Sequence, residues 1–272
     1  MLRLIEHQRN GQEIDQGLVK KVIDSLVPLG LDEDDINRVH LDVYNNHFKI
    51  PFLEATEKYY KLKSEAFLAE NSISGYLRKV GEWLREEESR VERYLNTEAR
   101  KPLIDSCVHA LIREHLELMY EASQRLLDQG RNEELLRMYE VLMRVPDDLE
   151  PLRSKFEEHV RGAGLTAVSR LIREGGAVTE VDLKSYIDAL FEVHRKSSEK
   201  VKRIFKSEAG FVARLDKACR EFVNKNAVTG GSGAKSLELL AKYVDALLRR
   251  GNTMAKEYLE RTLDRVVFTF SH

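Results

Sequence analysis

The stretch Leu41-Asp42-Val43-Tyr44-Asn45-Asn46-His47-Phe48-Lys49-Ile50-Pro51-Phe52-Leu53-Glu54-Ala55-Thr56-Glu57-Lys58-Tyr59-Tyr60-Lys61-Leu62-Lys63-Ser64-Glu65-Ala66 decides the fold class. Within it Leu41, Tyr44, Phe48, Phe52, Ala55, Tyr59, Leu62 and Ala66 recur every three or four residues, the rhythm of one helix face. At 1.5 Å per residue such a run spans roughly 40 Å. Pro51 falls inside it, where the missing N–H and the ring would disturb an ordinary helix. The apolar phase is nevertheless the same on both sides. The reading is one long kinked helix or two coaxial ones, with that stripe turned to a core.

Moving outward, the same rhythm continues. After Asn71-Ser72 a second long helix carries Ile73, Leu77, Val80, Leu84, Val91 and Tyr94 on one stripe. Its other face holds Arg85, Glu86, Glu87, Glu88 and Arg90, which read as a solvated surface. Later stripes are Leu135-Tyr139-Leu142, Leu149-Leu152-Phe156-Val160, Leu183-Ile187-Leu190, Phe211-Leu215-Cys219-Phe222 and Leu237-Leu240-Val244-Leu247. Asn132, Asp148, Ser207 and Ser236 stand where N-caps are needed. Only five prolines occur, none after Pro151, and the residues between the stripes are mostly good helix formers. About a dozen helices fit, no strand pattern competes, and the class is all-α.

An internal echo overlies these helices. An apolar pair followed by a Gly/Asn turn occurs at Leu4-Ile5 with Arg9-Asn10-Gly11, at Leu126-Leu127 with Gly130-Arg131-Asn132, and at Leu247-Leu248 with Gly251-Asn252. The apolar pairs are 122 and then 121 residues apart (126 − 4 and 247 − 126). That spacing predicts two full units of about five helices each and the start of a third, stacked as in other helical repeats.

Composition and motifs narrow the function classes. Net charge is −2, which gives no electrostatic case for nucleic acid. The most basic stretch, His194 to Lys206, is a candidate patch for an acidic partner but reads first as a solvated helix face. Cys107 and Cys219 lie on apolar stripes and read as buried, reduced thiols of an intracellular protein. No apolar run approaches the ~20 residues of a membrane span, and the N-terminus has no signal-peptide pattern. Thr229 to Ser236 superficially resembles a phosphate loop, but Ala234 occupies the position of its last glycine and no strand precedes it, so a flexible connector is expected. His109 and His115 are six apart, the wrong spacing for one helix face, and His194 reads as a boundary histidine. Asp32 to Asp35 lacks the alternation of a calcium loop. No catalytic, cofactor-binding or metal-ligating residue is assigned, and no cofactor is expected.

Four strings resemble the N-terminal arm of the cullin family. They are residues 51–95, residues 126–152 (Leu126 to Tyr139, then Arg144 to Leu152), residues 209–228 and residues 235–248. The resemblance covers essentially the whole chain and points to the SCF-type cullin, the scaffold of cullin–RING ubiquitin ligases. It implies stacked five-helix cullin repeats forming a curved rod-like solenoid. Residues 1–115 would be the second repeat of the arm, 116–228 the third, and 229–272 the last helices leading toward the C-terminal part. It also implies that the regions binding the Skp-type adaptor with its F-box receptor, and the RING-box protein, are absent here. A large exchange factor that embraces cullins would be the remaining direct partner, in the cytoplasm and nucleus, with no nucleic acid and no membrane. The apolar tail Val266 to Phe270 would then be partly exposed or drive self-association. An unrelated tethering rod, or a helical enzyme with a scattered site, would be the alternatives.

Overall fold

The computed structural model describes residues 1–26, 41–95, 97–175, 183–230 and 233–249. Those residues are helical or in short turns, and no strand occurs among them. The acidic stretch 32–35, the tail 266–270 and the third echo turn at Gly251-Asn252 lie outside them. The chain divides into two compact units, one from Met1–Ala122 with Glu140–Asp148, the other from Ser123–Tyr139 with everything from Leu149 on.

The first unit contains α1 (Leu2–Arg9), α2 (Gln16–Leu26), α3 (Asp42–Tyr44), α4 (Ile50–Glu70), α5 (Ile73–Tyr94) and α6 (Arg100–Leu111). Between α3 and α4, Asn45–Lys49 form a π-helical turn, with right-handed helical backbone on both sides of it. The path from 42 to 70 is therefore one continuous helix, and the π-turn stands directly ahead of Pro51. A proline ring clashes with the carbonyl four residues back, here that of His47, and leaves it without a donor. The wider π-turn moves that carbonyl aside. The buried face runs Tyr44, Phe48, Phe52, Thr56, Tyr60, Ser64.

The sequence-based stripe is thus correct through Phe52 and wrong beyond it. Leu62 is 59% exposed, Ala66 is exposed, and Thr56, Tyr60 and Ser64 are buried instead. On α5 the expected stripe holds. Ser72 is its N-cap and accepts from the Gly75 amide at 3.3 Å. Trp83 meets Phe67 and Tyr76 edge-on and Tyr60 at a tilt, and α6 packs against both α4 and α5.

Helices α7 (Leu116–Asp128) and α8 (Asn132–Leu142) each contribute residues to both units. The second unit is built on α9 (Glu150–Gly175), α10 (Leu183–Arg203), α11 (Ala209–Asn224) and α12 (Gly233–Arg249). Pro151 sits in the first turn of α9, where its missing amide costs nothing. Tyr139, Phe156, Phe205 and Phe211 form a buried ring cluster, with Phe205 and Phe211 stacked at 3.8 Å. The stack is imposed by the turn between α10 and α11, where Lys206 and Ser207 both take positive φ. Left-handed backbone costs a non-glycine residue about 1–2 kcal/mol. Burial of the rings on either side of the turn offsets that cost.

Four expected caps shift. Asn132 is the first residue of α8, Asp148 falls short of α9, and Ser236 lies inside α12, donating to the Val223 carbonyl at 3.1 Å. Ser207 is occupied by the left-handed turn, and Glu208 caps α11 instead, accepting from the Phe211 amide. The connector also differs from expectation in its described part. Asn226 accepts from the Val228 and Thr229 amides and donates to the Phe222 and Val223 carbonyls and the Tyr186 hydroxyl, an ordered buried turn.

The echo has a structural basis in a different register. Gly11 (φ 86°) and Gly130 (φ 66°) each end a helix with the same pair of bonds, Gln12 N to His7 O with Gly11 N to Gln8 O, and Arg131 N to Leu126 O with Gly130 N to Leu127 O. This is the Schellman turn, for which glycine is the favoured residue. The equivalent glycines are 119 residues apart (130 − 11) rather than 122.

In the second unit α9 packs extensively against α11. A Cβ on Gly164 would sit 2.3 Å from the Phe222 ring, whereas one on Gly162 would meet nothing. Gly164→Ala is expected to lower stability by about 1–3 kcal/mol through overpacking. Gly162→Ala should leave it unchanged or raise it by up to about 1 kcal/mol. Urea unfolding of the two variants beside the parent checks the contrast.

Candidate functional site

The least expected side chains lie where α1, α4 and α5 meet. The charged run on α5 is not uniformly solvated: Glu87 is fully buried and Arg90 is 6% exposed. Three turns of sequence logic explain how. Glu87 is four residues beyond Trp83 and three beyond Leu84, so it shares their buried face. Thr56 and Tyr60 occupy the facing side of α4. Arg9, the last residue of α1, enters from the third side.

The geometry is that of a closed ionic brace. Arg9 donates through Nε and Nη2 to both Glu87 oxygens, at 2.9 and 3.0 Å. The same Nη2 donates to Thr56 Oγ1 at 2.8 Å, and the guanidinium lies 5.3–5.4 Å from the Phe52, Tyr59 and Tyr60 ring centres. Arg90 Nη1 and the Tyr60 hydroxyl add donors to Glu87 Oε1 at 2.6 and 2.5 Å. Gln8 Oε1 then accepts from Arg90 Nε and the Tyr94 hydroxyl.

Burial pushes the Glu87 carboxyl up, but Arg9, Arg90 and Tyr60 together outweigh it and hold it below the ordinary value of 4.5. Burial likewise pushes Tyr60 and Cys107 up, the nearby Glu87 charge adding to both. A carboxylate locked as an anion by four donors has no proton to give. The brace ties helices together rather than performing acid–base chemistry.

The remaining candidates are scattered. His115 Nε2 bonds Ser64 Oγ at 2.9 Å and packs edge-on to Tyr76, while His109 faces Glu57 at the surface. Among the described residues no group of three His, Cys, Asp or Glu side chains could hold a metal ion. No described helix is long and apolar enough to cross a membrane. On α10, Arg195, Lys196 and Arg203 pair with Glu192 and Glu199 of the same helix, so part of the basic stretch is neutralised within the helix. Arg153, Arg161, Arg214 and Lys217 link α9 and α11 through Glu157, Glu208, Glu221 and Glu150. Cys107 and Cys219 are buried free thiols, and burial raises Cys219 to about 12. An open groove of about 510 Å³ between α1 and α4 is lined by Leu2, Leu62 and Lys58 among others.

Glu87→Gln is expected to destabilise the first unit by about 3–5 kcal/mol, because two buried arginines lose their anion. A carboxyl depressed on folding contributes stability that is present above its unfolded value of 4.5 and is lost as pH falls through the folded value. The parent should therefore weaken as pH drops below 4.5, and the variant should lose that part of the dependence. Urea midpoints from pH 3 to 7 check both.

Comparison with known proteins places this architecture. A family model described as the cullin alpha solenoid domain matches residues 1–272. The chain is 41% identical to Cullin-1 of Dictyostelium discoideum, 34% to Cullin-1 of Schizosaccharomyces pombe and 35% to Cullin-1 of Caenorhabditis elegans, in each case over 100% of its own length. It covers 35%, 36% and 36% of those proteins, about a third of the length of the relatives it matches.

Proposed function

The chain belongs to the cullin family, and from that membership we propose that it is a rigid, non-catalytic scaffold segment of an SCF-type cullin–RING ubiquitin ligase. Membership sets aside an unrelated tethering rod. The observation that carries the proposal is the match of the entire chain to the solenoid domain, with Cullin-1 proteins of three organisms at comparable identity. In this reading residues 1–115 and 116–228 are the second and third repeats of the arm, and 229–272 lead out of it. The segment spaces a receptor-bound substrate from the conjugating enzyme in ubiquitin-dependent degradation.

The physical role follows from stiffness. A connection that fixes distance and direction holds two reactants at a defined effective concentration, whereas a flexible one spreads them over many geometries. Packed helices cross-tied by a buried ion cluster suit the first purpose. The buried free thiols, which need no oxidising compartment, support an intracellular location in cytoplasm and nucleus. Skp-type adaptor, F-box receptor and RING-box protein are partners of the full-length protein. The exchange factor is the partner this segment itself would meet.

Size-exclusion chromatography of the purified chain with each component tests the assignment. Co-elution is expected with the exchange factor and not with the Skp-type adaptor or the RING-box protein. Stable binding of either of the latter two would overturn the placement in the second and third repeats.

A further inference from the structure

One cluster in the second unit brings three titratable side chains together from three helices. Asp128 ends α7, His159 lies in the middle of α9, and Lys200 is near the end of α10. His159 Nδ1 is 3.0 Å from Asp128 Oδ1, and its Nε2 is 3.2 Å from Lys200 Nζ. Gln124 donates to both oxygens of Asp128 and holds the carboxylate in place. A carboxylate on Nδ1 fixes the proton there and leaves the Nε2 lone pair directed at the lysine nitrogen. This is the orienter, base and nucleophile order of acyl-transfer triads, with an amine in the place of a hydroxyl.

We propose that Lys200 is a site of covalent acylation, its ε-amine accepting an acyl group from an acyl thioester with His159 as the base and Asp128 orienting the imidazole. The neutral amine attacks the thioester carbonyl carbon and a C–N bond forms. The proton of the resulting ammonium passes to His159 Nε2. The carbonyl then reforms, the C–S bond breaks, and the departing thiolate takes up a proton returned through His159 or from solvent. No oxidant or reductant enters.

The surroundings favour both reactive forms. Burial is the largest influence on Lys200 and lowers its amine below the ordinary lysine range, with Asp128 opposing. Burial also keeps His159 in its neutral, proton-accepting form; Lys200 acts in the same sense and Asp128 against it. The imidazole side chain is 18% exposed, that of Asp128 57%, and Lys200 is half-buried rather than enclosed, so a thioester can approach the cluster from solvent. Lys196, on the same helix, is 66% exposed but paired with Glu192, and it serves as the internal reference.

The test is incubation of the whole chain with acetyl coenzyme A at pH 8, without enzyme, followed by site-resolved mass spectrometry. Lys200 should be acetylated faster than Lys196 by about tenfold, below the ~10²–10⁴ of positioned general bases in enzymes because no thioester site is built around it. His159→Gln should bring Lys200 to the rate of Lys196. Asp128→Asn, which changes an exposed side chain, should lower it several-fold with the circular dichroism unchanged. Lys200 reacting no faster than Lys196 would overturn the proposal, as would an undiminished rate in both variants. If His159→Gln loses helicity, Asp128→Asn decides alone. An independent readout is the imidazole titration of His159 by NMR, which should move upward in Lys200→Gln because a neighbouring positive charge is gone; a downward or absent shift argues against the contact.

Discussion

A carboxylate out of reach of water must be surrounded by donors, and that requirement at Glu87 organises the first unit. Desolvating one carboxylate costs several kcal/mol, which only well-placed hydrogen bonds and charges offset. Arg9, Arg90 and Tyr60 supply them, and each choice constrains its own helix. Arg9 must end α1, so α1 meets α4 and α5 at one point. Tyr60 must face inward, so α4 buries Thr56, Tyr60 and Ser64 and turns Leu62 outward. An apolar core could hold the same helices as firmly. It would accept small slides along the helix axis, whereas a bidentate arginine accepts none. The brace sets register, and register is what a spacer has to keep.

The second unit reaches definition by a different route. Its ion pairs between α9 and α11 are only partly buried, apart from the buried carboxylate of Glu157, and half-solvated pairs contribute modestly. Shape does the positioning. Gly164 lets the Phe222 ring approach α9 more closely than any side chain would permit, and the left-handed turn at Lys206-Ser207 lays Phe205 flat on Phe211. One unit is registered by charge, the other by close approach.

How much of this could be read from the sequence follows from the range of each interaction. Helix identity is local, and the stripes on α5, α8, α9 and α11 were legible because periodicity reports burial within a few residues. The π-turn was half legible: unbroken phase across Pro51 showed that the helix continues, but not how the clash is relieved. Glu87 and Arg90 were misread as solvated because their partners on α1, Arg9 and Gln8, are 78 and 82 residues away. A charge run on a helix is ambiguous until its neighbours in space are known. Ser207 looked like a cap for a different reason: residue type does not reveal left-handed backbone, and the turn that lays Phe205 on Phe211 makes Glu208 the residue that faces the open amides. The Asp128, His159 and Lys200 cluster left no mark in the sequence, since its three members belong to three helices.

A scaffold, the role proposed for this chain, leaves a different kind of trace in a sequence from an enzyme. An enzyme concentrates its function in a few atoms, so spacing rules between reactive residues can reveal it. A scaffold's function is resistance to bending, which is distributed over every buried contact. Any one contact can be exchanged for another of similar size, as long as length and direction persist. Composition and periodicity could therefore identify a packed helical chain but not its task. The family strings could, because they preserve the combination of contacts rather than any single one. The few positions where exchange is not free are those the structure singles out: an anion with two arginines, a glycine beneath a ring, a pair of left-handed residues. These fix the geometry, and for the proposed role of holding a distance, geometry is the functional site.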